Sequence, residues 1–265
     1  MFGSKMITSV HNPRVQEVRK LQALAKRRRD EQAFAIEGVR LAEEALASGW
    51  EAKLVLYTDQ LDKRGRAVVE QFERRRVPAD QVNLAVMKAV SQTKTPQGLL
   101  VVLKLKTITI PSSLDFLLIL DGLRDPGNLG TVLRTAAAAG VQALILAPGC
   151  SDAWSPKVLR AGMGAHFRLL IQTLGWEAIK QLLAGQSNAL KVYLADSTEG
   201  LPYTQADLCS PLALIVGGEA AGAGSEALHL TDAKVHIPMP GGSESLNASV
   251  AASILLFEVL RQRGL

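Results

Sequence analysis

The sequence predicts an α/β protein in which a small α/β domain precedes a larger domain with a parallel β-sheet. In the C-terminal part, short and almost entirely apolar runs alternate with longer segments of helical periodicity. This alternation is typical of parallel strands that are covered on both faces by the helices that connect them. The 265 residues, of which 48% are hydrophobic, suffice for one large domain or two modest ones.

The elements of the N-terminal part follow from periodicity and from the breaks between apolar runs. Two helices, a short strand, a third helix and a second strand are predicted in this order. Their bounds are Pro13–Lys26, Gly38–Ala47, Leu54–Tyr57, Gly65–Arg76 and Leu99–Leu105.

A domain boundary is predicted near residue 110. Segment Val101–Asp115 loses the helical period, alternates apolar with polar residues and then breaks at Pro111, Ser112 and Ser113. We therefore expect a domain at residues 1–110 and another at residues 111–265.

The elements of the C-terminal part alternate more regularly. Strands are predicted at Phe116–Leu120, Ala143–Leu146, Leu169–Gln172, Lys191–Ala195, Leu212–Val216 and Lys234–Ile237. Helices are predicted at Leu129–Ala139, Pro156–Ala165, Trp176–Ala184 and Leu246–Arg263. Open parallel sheets bind ligands beyond the carboxyl ends of their strands, so we expect a site at that edge.

Charge is distributed unevenly along the chain. Residues 1–113 carry 20 Lys and Arg against 12 Asp and Glu, whereas residues 114–265 carry 10 against 13. The basic half is predicted to bind a polyanion, although a solvated basic surface would give the same composition. Few aromatic residues accompany the cations, which favours recognition of a phosphate backbone or of shape over base stacking. The candidate residues for contacting phosphates are Arg14, Lys26, Arg27, Arg28 and Arg29.

Other sequence features exclude several classes of protein. No apolar run approaches the length of a membrane span, and the first residues, MFGSKMITSV, lack a secretory hydrophobic core. We expect a cytoplasmic protein with no membrane partner. Cys150 and Cys209 lie far apart without neighbouring ligand residues, which argues against a disulfide framework and predicts no metal site.

Segment Ile237–Ala251, IPMPGGSESLNASVA, combines a Gly/Pro loop with a helix start that is rich in hydroxyl groups. Prolines and glycines there prevent a helix or a central strand, so the loop exposes backbone N–H groups. Ser243, Ser245, Asn247 and Ser249 are candidates to cap the next helix. Their density favours a binding site over a plain capping loop.

Two further segments follow predicted strands. In DGLRDPGNLGTVLR, Asn128 lies in the loop that opens a helix, and we expect the long side chain of Arg134 to reach back towards it. In VGGEAAG, the glycines permit close backbone approach to a ligand, and Glu219 can bond a ribose or orient a loop. The alternative for Arg134 is a solvated side chain, and the alternative for the glycine segment is a flexible turn. The glycine spacing does not match a dinucleotide-binding fingerprint.

Taken together, the three segments NxGxxxR, GxExxG and IPMxGxxxSLNxSxA resemble those of the SpoU (TrmH-like) branch of the SPOUT RNA 2′-O-ribose methyltransferases. The resemblance covers residues 114–265, and RRRDEQAFAIEGVRLAEEAL resembles the ribosomal-protein-like substrate-binding domain that many of these enzymes carry. It implies a SPOUT domain whose C-terminal segment forms a deep trefoil knot, a rare exception to unthreaded topology. One departure is Ala248, where many relatives have valine.

The resemblance also implies the residues of the active site. The S-adenosylmethionine pocket is expected at Gly217, Gly218, Ile237, Met239, Gly241 and Leu246. The catalytic positions are Arg134, Asn128, Glu219, Ser245 and Asn247, with Arg134 as the principal catalytic residue. Two roles stay open for Arg134, which acts either as a general base or as a clamp for the neighbouring phosphate. The general base is the more difficult role because a guanidinium normally stays protonated.

Partners and alternative functions follow from the same resemblance. We expect a structured RNA substrate, most plausibly large-subunit ribosomal RNA, with transfer RNA as the alternative. A homodimer is expected through the C-terminal domain, with Ser253, Ile254, Phe257 and Leu260 as contact residues unless this stripe packs on its own sheet. A non-catalytic RNA-binding protein with the same fold is the main competing function, and a nucleotide-dependent oxidoreductase is a remote one.

Overall fold

The computed structural model describes residues 6–106, 109–219 and 222–265. They divide into two units, of which the first takes Met1–Thr107 with Trp154–Phe167 and the second takes Ile108–Ala153 with Arg168–Leu265. The division into domains 1–110 and 111–265 stays a prediction. The sequence pattern did not set the segment Trp154–Phe167 apart from its neighbours.

The helices and strands before residue 107 number nine in the described residues. They are α1 (Pro13–Ala23), α2 (Ala25–Glu31), β1 (Ala33–Glu37), α3 (Val39–Ala47), β2 (Ala52–Tyr57), α4 (Lys63–Arg74), β3 (Ala79–Gln81), α5 (Leu84–Val90) and β4 (Leu99–Lys104).

The described elements after residue 108 begin with a strand and end with a helix. They are β5 (Phe116–Asp121), α6 (Pro126–Ala138), β6 (Ala143–Leu146), α7 (Pro156–Gly162), β7 (Leu170–Thr173), α8 (Trp176–Ala184), β8 (Lys191–Asp196), β9 (Leu201–Pro202), β10 (Leu212–Gly217), α9 (Ser225–Leu230), β11 (Ala233–His236) and α10 (Ala248–Gln262). Short 3₁₀ turns lie at Ala165–Phe167 and Tyr203–Gln205.

The first unit is built on a four-stranded mixed sheet with the order β1-β4-β2-β3. β4 runs antiparallel to β1 and β2, and β2 runs parallel to β3. Each face of the sheet is covered, one by residues of α3 and α4 and the other by residues of α1 and α5. On the first face Phe34, Trp50, Trp154 and Phe167 form an aromatic cluster with ring centroids 4.7 to 5.7 Å apart.

The predicted helix Pro13–Lys26 is wrong as a single element. α1 ends at Ala23 because Leu24 is extended, with φ −119° and ψ 113°, and its N–H donates to Lys20 O. α2 then starts at Ala25, so the basic residues Lys26–Arg29 belong to a separate short helix. The sequence pattern did not predict β1, β3 and α5, which are short, with five, three and seven residues.

The second unit contains a seven-stranded sheet with the order β7-β6-β5-β10-β8-β11-β9. Every strand pair in it is parallel, which confirms the predicted parallel sheet. All residues of β5 are buried, as expected for a central strand covered on both faces. Among the described strands of this sheet, only β9, of two residues, was not predicted from the sequence, and helix α9 was not predicted either.

Two helices of the second unit begin at different residues from those predicted. α6 begins at Pro126, three residues before the predicted start, because Asp125 caps it through Asn128 N. α10 begins at Ala248 because Asn247 is its N-cap, so Ser245 and Leu246 lie in the preceding loop. The expectation that Asn247 caps the helix is confirmed.

Within the described ranges, no helix combines the length and apolar character that crossing a bilayer requires.

Candidate active site

The carboxyl ends of β5 and β10 lie side by side, with Asp121 in register with Gly217. Asp121 is buried, and its Oδ2 accepts a 2.7 Å hydrogen bond from Gly224 N in the segment that follows β10. This bond satisfies the hydrogen-bonding requirement of the buried Asp121 carboxylate, which indicates a structural role for it. This bond fixes the segment after β10 against the end of β5.

Gly217 and Gly218 lie against other backbone segments. A Cβ atom on Gly218 would lie 2.4 Å from Gly122 O, and one on Gly217 would lie 2.5 Å from Gly222 C. A β-bridge also joins Gly218 to Gly222. The glycines are therefore required by contact between two chain segments, a reason that differs from the close ligand approach expected from the sequence.

Asn128 is the centre of a polar cluster at this edge. It lies in the first turn of α6, not in the preceding loop as predicted. Its Nδ2 donates to Glu219 Oε1 at 2.7 Å, and its Oδ1 accepts from Asn247 Nδ2 at 3.1 Å. An ionised carboxylate only accepts hydrogen bonds, so Glu219 fixes which end of the Asn128 amide faces it. One residue from each of the three predicted segments meets here.

Asn247 is held by the start of α10. Its Oδ1 accepts hydrogen bonds from Ser249 N at 2.9 Å and from Ser249 Oγ at 2.7 Å, while its Nδ2 reaches Asn128. Ser249 is buried, and its Oγ lies 3.4 Å from Asn128 Oδ1. Ser249 is thus a member of the cluster that the sequence analysis treated only as a capping candidate. Its position two residues after Asn247 was the available signal.

A cavity of about 380 Å³ lies beside the cluster. Five of the predicted cofactor-binding residues line it, namely Gly217, Gly218, Ile237, Met239 and Leu246, together with Ser245 and Glu219. The cavity has the size of a small-molecule site and combines apolar side chains with backbone and carboxylate groups.

The carboxyl end of β8 forms another wall of the cavity, which the sequence analysis did not predict. Asp196 there accepts hydrogen bonds from the N–H groups of Thr198 and Glu199 and lies 3.3 Å from Lys234 Nζ. Burial raises the pKa of Asp196, but these donors and the cation outweigh it, so the net pKa is lowered. Asp196 therefore contributes a negative charge to the cavity at neutral pH.

Gly241 is the predicted cofactor residue that lies outside the lining of this cavity. It lies in a turn closed by a hydrogen bond from Gly242 N to Met239 O, at 3.1 Å. Gly241 is exposed, and a Cβ atom on it would meet no atom within 4 Å. The structure thus gives Gly241 a role in turning the loop, and its contact with a cofactor stays a prediction.

Arg134 is exposed on α6. Its guanidinium forms no hydrogen bond or ion pair with any residue in the described ranges, so the expected reach towards Asn128 is absent. Six residues correspond to about 1.7 helical turns, so the two side chains leave α6 in different directions. Arg134 is therefore a free cation on α6, the helix that also carries Asn128.

Cys150 stabilises the segment after β5. Its Sγ donates to Leu120 O and accepts from Leu123 N, at 3.1 and 3.3 Å. Burial raises the pKa of the Cys150 thiol to about 11, so it stays protonated and able to donate at neutral pH. Cys209, in contrast, is exposed.

The predicted RNA-binding residues lie in the first unit, and several are engaged in local contacts. Arg27 pairs with Glu17 and Glu31 at 2.8 and 2.9 Å, and Arg14 pairs with Asp80. Arg28 is 4% exposed, and its Nη1 donates to Leu21 O and Gln22 O. A guanidinium that is buried and bonded to backbone carbonyls is poorly placed to contact a phosphate on the surface. The burial of Arg28 therefore argues against its predicted role, which stays a prediction, whereas Lys26 and Arg29 are exposed.

Comparison with known proteins relates both parts of the chain to RNA-modifying enzymes. The model of the SpoU rRNA methylase family matches residues 115–257, and that of the MRM3-like substrate binding domain matches residues 12–101. The chain is 34% identical over 263 residues to the 23S rRNA (guanosine(2553)-2′-O)-methyltransferase RlmP of Bacillus subtilis, covering 96% of this chain and 99% of that protein.

Two further comparisons agree with these matches. The chain is 34% identical to the human mitochondrial rRNA methyltransferase 3, covering 86% of this chain and 67% of that protein. Its fold is similar to the crystal structure of an AdoMet-bound rRNA methyltransferase from Sinorhizobium meliloti, with a TM-score of 0.87, 30% identity and 97% coverage of both chains.

Proposed function

Because the chain belongs to the SpoU rRNA methylase family, we propose that it transfers a methyl group from S-adenosylmethionine to a ribose 2′-hydroxyl of large-subunit ribosomal RNA. The observation that carries this proposal is the meeting of Asn128, Glu219 and Asn247 beside the cavity of about 380 Å³. Glu219 and Asn247 lie 91 and 119 positions from Asn128 in the sequence, so only the fold brings the three residues together.

The residues of the cavity fit this cofactor. Ile237, Met239 and Leu246 supply apolar walls suited to an adenine ring, and the carboxylate of Glu219 suits the positive charge of a sulfonium. The charge of Asp196 is opposed by Lys234, which lines the same cavity. When bound, S-adenosylmethionine supplies a methyl group activated by the positively charged sulfur. The backbone around Gly217 and Gly218 and the loop at Ile237–Leu246 would hold it.

The chain's own contribution to the reaction is alignment of the ribose. Asn128 is held on both sides by Glu219 and Asn247, so its amide is positioned before substrate arrives. Fixed polar groups of this kind accelerate a displacement by orienting the attacking oxygen. Ser245, which lines the cavity in the loop before α10, lies where a second polar contact to the ribose can form.

Arg134 acts in this proposal as a clamp for the phosphate next to the target ribose. Its side chain is exposed and free of partners in the described part of the chain, which suits a bidentate contact with an incoming phosphate. The Arg134→Lys variant keeps the charge but loses the planar fork. We expect its KM for RNA to rise at least tenfold, and an unchanged KM and kcat would exclude both the clamp and the general base.

A direct test combines cofactor binding with product analysis. The protein is titrated with S-adenosylmethionine by calorimetry and then incubated with [methyl-³H]S-adenosylmethionine and unmodified large-subunit ribosomal RNA. We expect binding, and tritium in dinucleotides that resist alkaline hydrolysis because the 2′-oxygen is methylated. No heat at millimolar cofactor would instead favour the non-catalytic RNA-binding alternative.

The choice between ribosomal and transfer RNA needs a cellular test. Ribose methylation is mapped across total RNA from cells with and without the protein. Loss of one site in large-subunit ribosomal RNA is the expected result, and loss of a site in transfer RNA would redirect the proposal to that substrate. We also propose a cytoplasmic location, because the Bacillus subtilis relative, which aligns over 99% of its length, is a bacterial 23S rRNA methyltransferase.

We also propose a homodimer through α10. Val250 and Phe257 on this helix are 46% and 52% exposed, and Ile254 lies between them on the same face. This exposure argues against the alternative that the stripe packs entirely on its own sheet. Light scattering at micromolar concentration tests the proposal, since it requires twice the mass of the chain, and the Phe257→Glu variant should shift the mass towards that of a monomer.

The trefoil knot implied by the family resemblance is likewise proposed. Its support is the strand order, in which β10 lies between β5 and β8, and the position of the loop Ile237–Leu246 against the end of β10 at the cavity. A knotted segment of this kind makes the cofactor-binding loops parts of one folded body.

A further inference from the structure

A cleft of about 730 Å³ lies in the first unit, and we name it the α3–α5 cleft. Residues of α3, α4 and α5 line it together with the turns before β4 and after β2. The lining includes Arg40, Arg64, Lys88 and Lys94, and among the described residues its only carboxylate is Asp62. Asp62 already has a structural role, because its Oδ1 accepts the hydrogen bond from Gly65 N that caps α4.

Most cations of the α3–α5 cleft are free. Arg40, Lys88 and Lys94 are exposed and form no hydrogen bond or ion pair with a residue in the described ranges. Arg64 is the exception, since it pairs with Glu43 and lowers the pKa of that carboxyl group. Three free cations on three different elements surround one concavity.

The Lys26–Arg29 run provides fewer free cations. Arg27 is paired twice and Arg28 is buried, so only Lys26 and Arg29 of this run lack a partner in the described part of the chain. Carboxylates of Glu17 and Glu31 also lie in this region. The run has the stronger signal in the sequence, but the α3–α5 cleft has three free cations and the run has two.

The chemistry of the cleft also suits a nucleic-acid backbone. Leu84 is 42% exposed at its wall and offers an apolar contact for a ribose. Thr58 is 1% exposed, and its Oγ1 has no hydrogen-bond partner among the described residues. A buried hydroxyl without a partner is unusual in a folded protein, and a water molecule at the floor of the cleft would satisfy it.

We propose that the α3–α5 cleft, and not the Lys26–Arg29 run, holds the phosphodiester backbone of the RNA substrate. This inference rests on the proposed function and identifies where the first unit holds the RNA. Cations on α3, α5 and the turn before β4 offer separate contacts for successive phosphates of one strand.

The test compares three double variants with the same loss of charge. Lys88→Gln/Lys94→Gln changes the cleft, and Lys26→Gln/Arg29→Gln changes the run. The control Lys53→Gln/Lys104→Gln removes two exposed lysines from β2 and β4 that do not line the cleft. For each, the KM for in vitro transcribed large-subunit ribosomal RNA and its dependence on KCl are measured with tritiated cofactor.

We expect the cleft variant to raise the KM for RNA about tenfold and to lower the slope of log KM against log salt by about 2, one for each lost phosphate contact. The run variant should change both quantities less, and all variants should bind S-adenosylmethionine like the wild type. An effect of the run variant equal to or larger than that of the cleft variant would overturn the inference. If the wild type itself transferred no methyl group, the proposed function would fail, while filter binding of the same RNA would still test the cleft.

Discussion

The Lys26–Arg29 run and the Asn128–Glu219–Asn247 cluster differ in how their residues come together. The run is contiguous in the sequence, yet its side chains separate into a buried one, a paired one and two free ones. The cluster is drawn from three remote segments, yet its side chains are linked by hydrogen bonds of 2.7 and 3.1 Å. Helix geometry turns successive residues by about 100°, whereas a parallel sheet collects distant strand ends at one edge.

The most severe way to disrupt the cluster is to remove its central residue. Asn128→Ala removes both hydrogen bonds, so Glu219 and Asn247 lose their common partner. We expect kcat to fall about 100-fold, since small errors in orientation are costly in displacement reactions. Steady-state methyl transfer to ribosomal RNA measures the effect.

Asn188→Ala is the matched control for this prediction. Asn188 is exposed in the same unit and donates to Ser113 Oγ, far in sequence from the cluster. Its kcat should stay within a factor of two of the wild type. Equal kcat values for the two variants would mean that the cluster has no part in the reaction.

The next prediction concerns Arg28, the buried residue of the Lys26–Arg29 run. Arg28→Met fills similar volume but removes the donor to Leu21 O and Gln22 O. We expect the free energy of unfolding of the first unit to fall by about 2 kcal/mol, the usual contribution of hydrogen bonds to a charged group. Urea denaturation followed by tryptophan fluorescence measures this, because Trp50 and Trp154 belong to that unit.

The neighbouring residue provides the control. Arg29→Met changes the same side chain at an exposed position and should leave the urea midpoint nearly unchanged. A weaker affinity for RNA in Arg28→Met without loss of stability would restore Arg28 as an RNA ligand.

The smallest expected effect concerns Ser249. Ser249→Ala removes the Oγ that donates to Asn247 Oδ1 at 2.7 Å but leaves the Asn128–Asn247 bond in place. A single hydrogen bond of this kind contributes about 1 kcal/mol, so we expect kcat to fall about fivefold with an unchanged KM. Ser253→Ala one turn later is the control, and a similar loss there would indicate a general defect of α10.

The fold of the second unit was largely predictable from the sequence. Buried strands such as β5 and β10 are nearly continuous apolar runs, so their positions and parallel arrangement follow from the pattern. The elements that were missed are short or polar. β9 has two residues, and β1 follows a highly charged helix, so neither has a periodicity that distinguishes it from a loop.

The sequence predicted which residues form the site, but it did not predict the contacts between them. The family resemblance selected Asn128, Glu219 and Asn247, and the structure joins them. The direction of Arg134 depended on where α6 begins, which Asp125 sets by capping. Asp196 was missed because its proximity to the site arises only from packing of the sheet edge, whereas Ser249 was considered only as a capping residue.

The approach of Gly218 to Gly122 restricts how this protein can change during evolution. A side chain at position 218 cannot be accommodated until the backbone at position 122 moves, and Gly122 has a φ of +65°, which strains any other residue. Substitution at either position is therefore disfavoured, and both sites are expected to stay glycine. Alignment of many homologous sequences would reveal this as a joint invariance of residues almost one hundred positions apart.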